Sequence, residues 1–124
     1  MEEIHQGGCR CGAVRYEVRG EPQTTGLCHC ADCRRETGST FLYYADWPLD
    51  RFTQTGEFST WEGRSFCSIC GSPVFHLSED HAEIVLGSLD EVPAAFLPTR
   101  EGWIKRREPW LVPVVGASQH RQDP

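Results

Sequence analysis

Lysine is nearly missing from this chain: Lys105 stands alone against eleven arginines. Positive charge is short overall, with twelve basic residues against eighteen acidic ones and a formal net charge of -6 at pH 7. That balance excludes a bare phosphate-backbone binder, which needs a basic face to displace counterions. Long apolar runs are also lacking. Runs such as Ala94 to Leu97 span four residues, whereas a membrane helix needs about 20. The opening Met1-Glu2-Glu3-Ile4-His5-Gln6 is acidic and has no apolar segment of the secretory type. No internal repeat, low-complexity stretch or long linker divides the 124 residues. The expectation is one domain over 1–124, soluble and cytoplasmic, with neither nucleic acid nor membrane as partner.

Cysteine, by contrast, is abundant. Seven fall at positions 9, 11, 28, 30, 33, 67 and 70, and none follows Cys70. An odd number without an export signal is a poor disulfide framework, and neighbours at C-x-C spacing bridge one another only with strain. Cysteines so spaced are instead placed to share an ion. Arginine's dominance over lysine supplies planar forks suited to carboxylates.

Between the cysteine clusters the pattern is mostly β. Gly7 to Gly12 reads as a glycine-flanked tight turn, and Ala13 to Arg19 alternates with Val14, Tyr16 and Val18 on one face. Cys30 to Glu36 reads as one or two helical turns capped by Gly38. Further strands are expected at Phe41–Tyr44, Phe52–Thr55, Ser59–Trp61, Pro73–Leu77 and Glu83–Leu86, separated by turn residues as in an antiparallel meander. Trp103–Lys105 reads as a possible strand, Pro109–Pro113 as an extended arm, and 116–124 as a frayed polar tail.

Cys9-x-Cys11 and Cys67-x-x-Cys70-Gly71 look like the halves of one closed, four-thiolate structural zinc site; the rival is another partition of the cysteines. That partition leaves Cys28, Cys30 and Cys33 with no fourth cysteine. Three ligands and a vacancy is the catalytic pattern, while a closed alternative would recruit His29, His76 or His81. Arg34 and Arg35 follow directly and are candidates for a substrate carboxylate, against a reading as solvated charges. Trp61, Trp103 and Trp110 are candidates for a pocket wall, with core placement the commoner fate of such residues.

The runs Gly7-Gly8-Cys9-Arg10-Cys11-Gly12, Cys28-His29-Cys30-Ala31-Asp32-Cys33-Arg34-Arg35 and Phe66-Cys67-Ser68-Ile69-Cys70-Gly71-Ser72-Pro73 resemble the glutathione-dependent formaldehyde-activating (GFA, CENP-V/GFA) family. Leu86 to Asp90 and Pro109-Trp110-Leu111 extend the resemblance to about residues 6–111. It implies a mainly β, Mss4-like β-tent of antiparallel sheets with a short helix, stapled by zinc. It also implies two zinc ions: a structural one on Cys9, Cys11, Cys67 and Cys70, and a catalytic one on Cys28, Cys30 and Cys33. The activity implied is that of a carbon–sulfur lyase joining glutathione, or a similar small thiol, to formaldehyde to give S-(hydroxymethyl)glutathione. Two other classes compete. A non-catalytic Mss4-like interaction module has no use for the second cysteine cluster. A methionine sulfoxide reductase needs a late nucleophilic cysteine, and nothing follows Cys70.

Overall fold

A computed structural model describes residues 2–124. The chain is mainly β, with eleven strands, one short α-helix and three 3₁₀ turns among the described residues. Strands β1 (Ile4–Gly8), β2 (Arg15–Arg19) and β5 (Phe52–Thr55) make a small antiparallel sheet in the order β1-β2-β5. The remaining strands are β3 (Thr24–Cys28), β4 (Leu42–Pro48), β6 (Phe58–Trp61), β7 (Arg64–Cys67), β8 (Pro73–Leu77), β9 (His81–Val85), β10 (Arg100–Gly102) and β11 (Ser118–Gln119). They form one large sheet ordered β11-β10-β3-β4-β9-β8-β7-β6. Helix α1 spans Ala31–Thr37.

Strand alternation gives the large sheet two unlike faces. On β4, Ala45 and Trp47 are fully buried and join Phe75, Ala82 and Ile84 of β8 and β9 in the main core, with Tyr16 and Val18 of the small sheet packed on top. Phe75 centres an edge-on aromatic group, 5.0 Å from Phe52, 5.1 Å from Phe58 and 5.9 Å from Tyr16 between ring centroids. On the opposite face, Leu42, Tyr44 and Val85 pack with Cys33 of α1 and with Cys28 and Cys30 in a smaller cluster. The cysteine-bearing helix therefore covers the face that the main core leaves free.

Several expectations need correction. Gly7 and Gly8 lie in β1 rather than in the turn, and the turn itself closes at Gly12, whose φ of 84° favours glycine. Not every pairing is antiparallel: β10 runs parallel to both β3 and β11. Trp103 is left-handed (φ 55°) and opens a 3₁₀ turn at Ile104–Arg106, so no strand forms there. The tail expected to fray is built into the sheet edge, because Ser118 and Gln119 pair with Arg100 and Glu101. Of the three tryptophans weighed as pocket wall or core, Trp61 and Trp110 are each 69% exposed and Trp103 is half-buried; the tryptophan in the core is Trp47. Among the described residues, no helix is long and apolar enough to cross a membrane.

Candidate metal centres

The turn after β1 carries Cys9 and Cys11, while Cys67 ends β7 and Cys70 lies in the turn that follows it. The four sulfurs lie within 4.8 Å of one another. Cys11 Sγ is 3.6 Å from Cys9 Sγ and 3.7 Å from Cys67 Sγ. A zinc ion with bonds of about 2.3 Å to four thiolates at the corners of a tetrahedron has edges of about 3.8 Å. Backbone N–H groups already point at the sulfurs: Val14 donates to Cys9 Sγ at 3.2 Å, and Ile69 and Cys70 donate to Cys67 Sγ at 3.3 and 3.4 Å. Without a cation these thiols conflict. Hydrogen bonding from Ser72 brings Cys70 down to about 5, while Cys11, despite the backbone N–H of Ala13, is pushed up to about 11 by Cys9 and the other thiols. A shared divalent cation resolves that conflict, so donor set and spacing both fit zinc.

Cys28 ends β3, Cys30 caps α1, and Cys33 lies in its first turn. The helix start is built from the ligands themselves, since Cys30 Sγ accepts the Cys33 N–H at 3.2 Å. The three sulfurs also lie within 4.8 Å of one another. Cys28 pushes the thiol of Cys33 up, and burial pushes that of Cys30 up, so deprotonation here calls for a cation. Among the described residues no histidine joins this group. His29 turns into the interior, where its Nε2 donates to Glu101 Oε1 at 2.8 Å. His81 is held by Asp80 and Ser78 on the surface.

His76 lines the same cavity as the three cysteines, a space of about 360 Å³. Its Nδ1 is 2.6 Å from Glu83 Oε2 and its Nε2 is 2.6 Å from Glu36 Oε2. Burial works against a charge on the ring, but the two carboxylates prevail and hold its pKa up at about 9, so His76 is an imidazolium. Glu36 in turn accepts from Arg64 Nη1 at 2.5 Å, and the same nitrogen stands 3.7 Å from Cys33 Sγ. Positive charge is thus fixed beside a cluster whose ionised thiols would be electron-rich.

Strand register brings these groups together. Cys28 pairs with Gly102 and Leu42, Gly26 with Arg100 and Tyr44, Tyr44 with Val85, and Glu83 with His76. Residues two apart share a face, so Cys28, Arg100, Tyr44, Glu83 and His76 all stand on the α1 side of the sheet. Of these four partners, sequence reading named only His76, and as a metal ligand in the closed alternative; Arg100, Tyr44 and Glu83 were not placed in the site. The signal available was the run Leu42-Tyr43-Tyr44-Ala45-Asp46-Trp47, whose alternation is regular but carries charge on one face.

Arg34 and Arg35 lie elsewhere. The guanidinium of Arg34 is 3.6 Å from Glu108, and Arg35 lines a separate cavity of about 490 Å³ beside Trp61 and Glu62. Arg64 and Arg100 are the arginines that line the cysteine cavity.

Residues 4–106 match the family model described as "Glutathione-dependent formaldehyde-activating enzyme". A curated protein of Halomonas elongata, named "Putative glutathione-dependent formaldehyde-activating enzyme", is 28% identical over 102 residues; the match covers 64% of this chain and 60% of that protein. The chain therefore spans about 60% of the length of this relative. The crystal structure of a Rhodobacter sphaeroides protein superposes with a TM-score of 0.55 at 23% identity, covering 73% of this chain and 92% of that one, which shows a shared fold. On the extent of the family match, the chain belongs to the glutathione-dependent formaldehyde-activating enzyme family.

Proposed function

We propose that the chain is a two-zinc enzyme of the carbon–sulfur lyase type that adds glutathione to formaldehyde, giving S-(hydroxymethyl)glutathione. The observation carrying this reading is a group of three thiols, without a fourth ligand among the described residues, that opens on a cavity of about 360 Å³. Cys9, Cys11, Cys67 and Cys70 hold a structural ion, and Cys28, Cys30 and Cys33 hold the second. Zinc bound at the second site supplies a cationic centre that keeps a thiol deprotonated near neutral pH, where a free thiol with pKa about 8.5 is mostly protonated.

The chain's own groups do the rest. Arg64, 3.7 Å from Cys33 Sγ, offsets the negative charge of the cluster and keeps the helix start in register with β7. Glu36 and Glu83 fix His76 as an imidazolium, a positive neighbour for the oxygen on which charge develops. In the addition, the sulfur lone pair forms the S–C bond and the carbonyl π pair moves to oxygen, which takes up the proton that left the thiol. Nothing else is consumed or released.

Exchange spectroscopy by NMR on an equilibrated mixture of formaldehyde and glutathione tests this directly. Catalytic amounts of the zinc-loaded chain should speed exchange between free glutathione and its hydroxymethyl adduct. Cys30→Ser should abolish the acceleration while leaving a folded protein. An exchange rate indifferent to the parent protein contradicts the proposal.

A further inference from the structure

Arg100 is the cavity's uncommitted cation. On β10 it faces Gly26 of β3, which faces Tyr44 of β4. A Cβ built on Gly26 would stand 2.7 Å from Tyr44 Oη and 3.1 Å from Arg100 Cγ, so only glycine lets the phenol and the arginine stem close over that strand. They do close. Arg100 Nε donates to Tyr44 Oη at 2.9 Å, and the guanidinium carbon lies 5.8 Å from the ring centroid. This contact uses one edge of the guanidinium and fixes its plane. Among the described residues, Nη1 and Nη2 have neither a hydrogen-bond acceptor nor a carboxylate partner.

The other arginine in the cavity is already occupied, since Arg64 is bound to Glu36. Asp123, also at this cavity, accepts from the Trp103 indole at 2.7 Å. Tyr44 keeps its own proton to give: burial pushes its pKa up, and its oxygen already accepts from Arg100. A free guanidinium fork next to a hydroxyl donor matches the lone pairs of one carboxylate. It lies one strand over and two residues along from Cys28, about 8 Å between backbones.

We infer that Arg100, with the Tyr44 hydroxyl, is a carboxylate subsite in the three-cysteine cavity and makes it select carboxylate-bearing thiols over uncharged ones. The inference rests on the reading of that cavity as a thiol site. It names a residue that sets specificity, distinct from the groups that bear on the reacting sulfur.

The test is calorimetric binding of three ligands to the full zinc-loaded chain: glutathione, S-methylglutathione and 2-mercaptoethanol. The second keeps the carboxylates without a free thiol, and the third keeps the thiol without a carboxylate. Arg100→Met preserves the stem over Gly26 and removes the fork. It should weaken glutathione and S-methylglutathione about 10- to 100-fold and change 2-mercaptoethanol less than 2-fold. Tyr44→Phe should weaken the same two ligands by a smaller factor, and it carries the test should Arg100→Met fail to fold. Undiminished glutathione binding in the folded variants overturns the subsite, as does an equal loss for all three ligands. Binding of S-methylglutathione that depends on Arg100, with no binding of 2-mercaptoethanol and no gain from the free thiol, keeps the subsite and overturns the thiol-site reading. A parent protein that binds none of the three overturns both.

Discussion

Single side chains decide the electrostatics of the cavity. His76 is the clearest case, because both ring nitrogens face carboxylates, and both carboxylates can accept at once only if the ring is doubly protonated. The groups around it are Glu36 from α1, Glu83 from β9, Arg64 from β7 through Glu36, and Asp46 from β4. With its folded pKa raised from 6.5 to about 9, its contribution is complete below pH 6.5 and is lost as pH rises through about 9. The amount is on the order of 3 kcal/mol. Denaturant melts of the zinc-loaded parent and His76→Gln should therefore differ most near pH 6.5 and converge towards pH 9.5. A difference that does not change with pH would show that the ring is neutral in the folded protein.

At the level of elements, the edge made by β10 and β11 was the least legible in the sequence. Each is a two- or three-residue strand in a parallel pairing, too short for any alternation to register. What holds them is a buried carboxylate. Burial works against the charge of Glu101, but Gln119 Nε2 at 2.9 Å, His29 Nε2 at 2.8 Å and the Val114 N–H at 2.8 Å hold its pKa down at about 2. Composition alone reads 116–124 as a free tail because these partners come from three separate segments. The strand β2 and the helix near Cys33 were legible, since Val14, Tyr16 and Val18 alternate and Gly38 caps the helix in left-handed geometry. The polar face of β4, β8 and β9 was not legible for the opposite reason: charged residues facing α1 and the cavity look, in sequence, like residues facing water. Glu101→Gln should leave His29 and Arg107 short of an anion and cost about 2–4 kcal/mol. Hydrogen exchange should then quicken at 114–120 well before it does in the main core. Unchanged protection there would show that backbone pairing alone secures the edge.

For the molecule as a whole, the two cysteine groups divide the work. The cysteines in residues 9–11 and 67–70 are separated by about 55 residues of chain, so an ion between them ties the small sheet to the far end of the large one. Cys67→Ser should lower the melting temperature far more than Cys30→Ser does, and equal melting points for both variants would contradict this division of labour. The central claim is that the three-cysteine site takes a substrate thiol as its remaining ligand, and zinc X-ray absorption on the fully loaded chain tests it most directly. One closed and one open site average about 3.5 sulfurs per zinc. Saturating glutathione should raise that average to about 4, with two zinc ions still present per chain. An average that stays near 3.5 would contradict the account, and so would the loss of one zinc per chain.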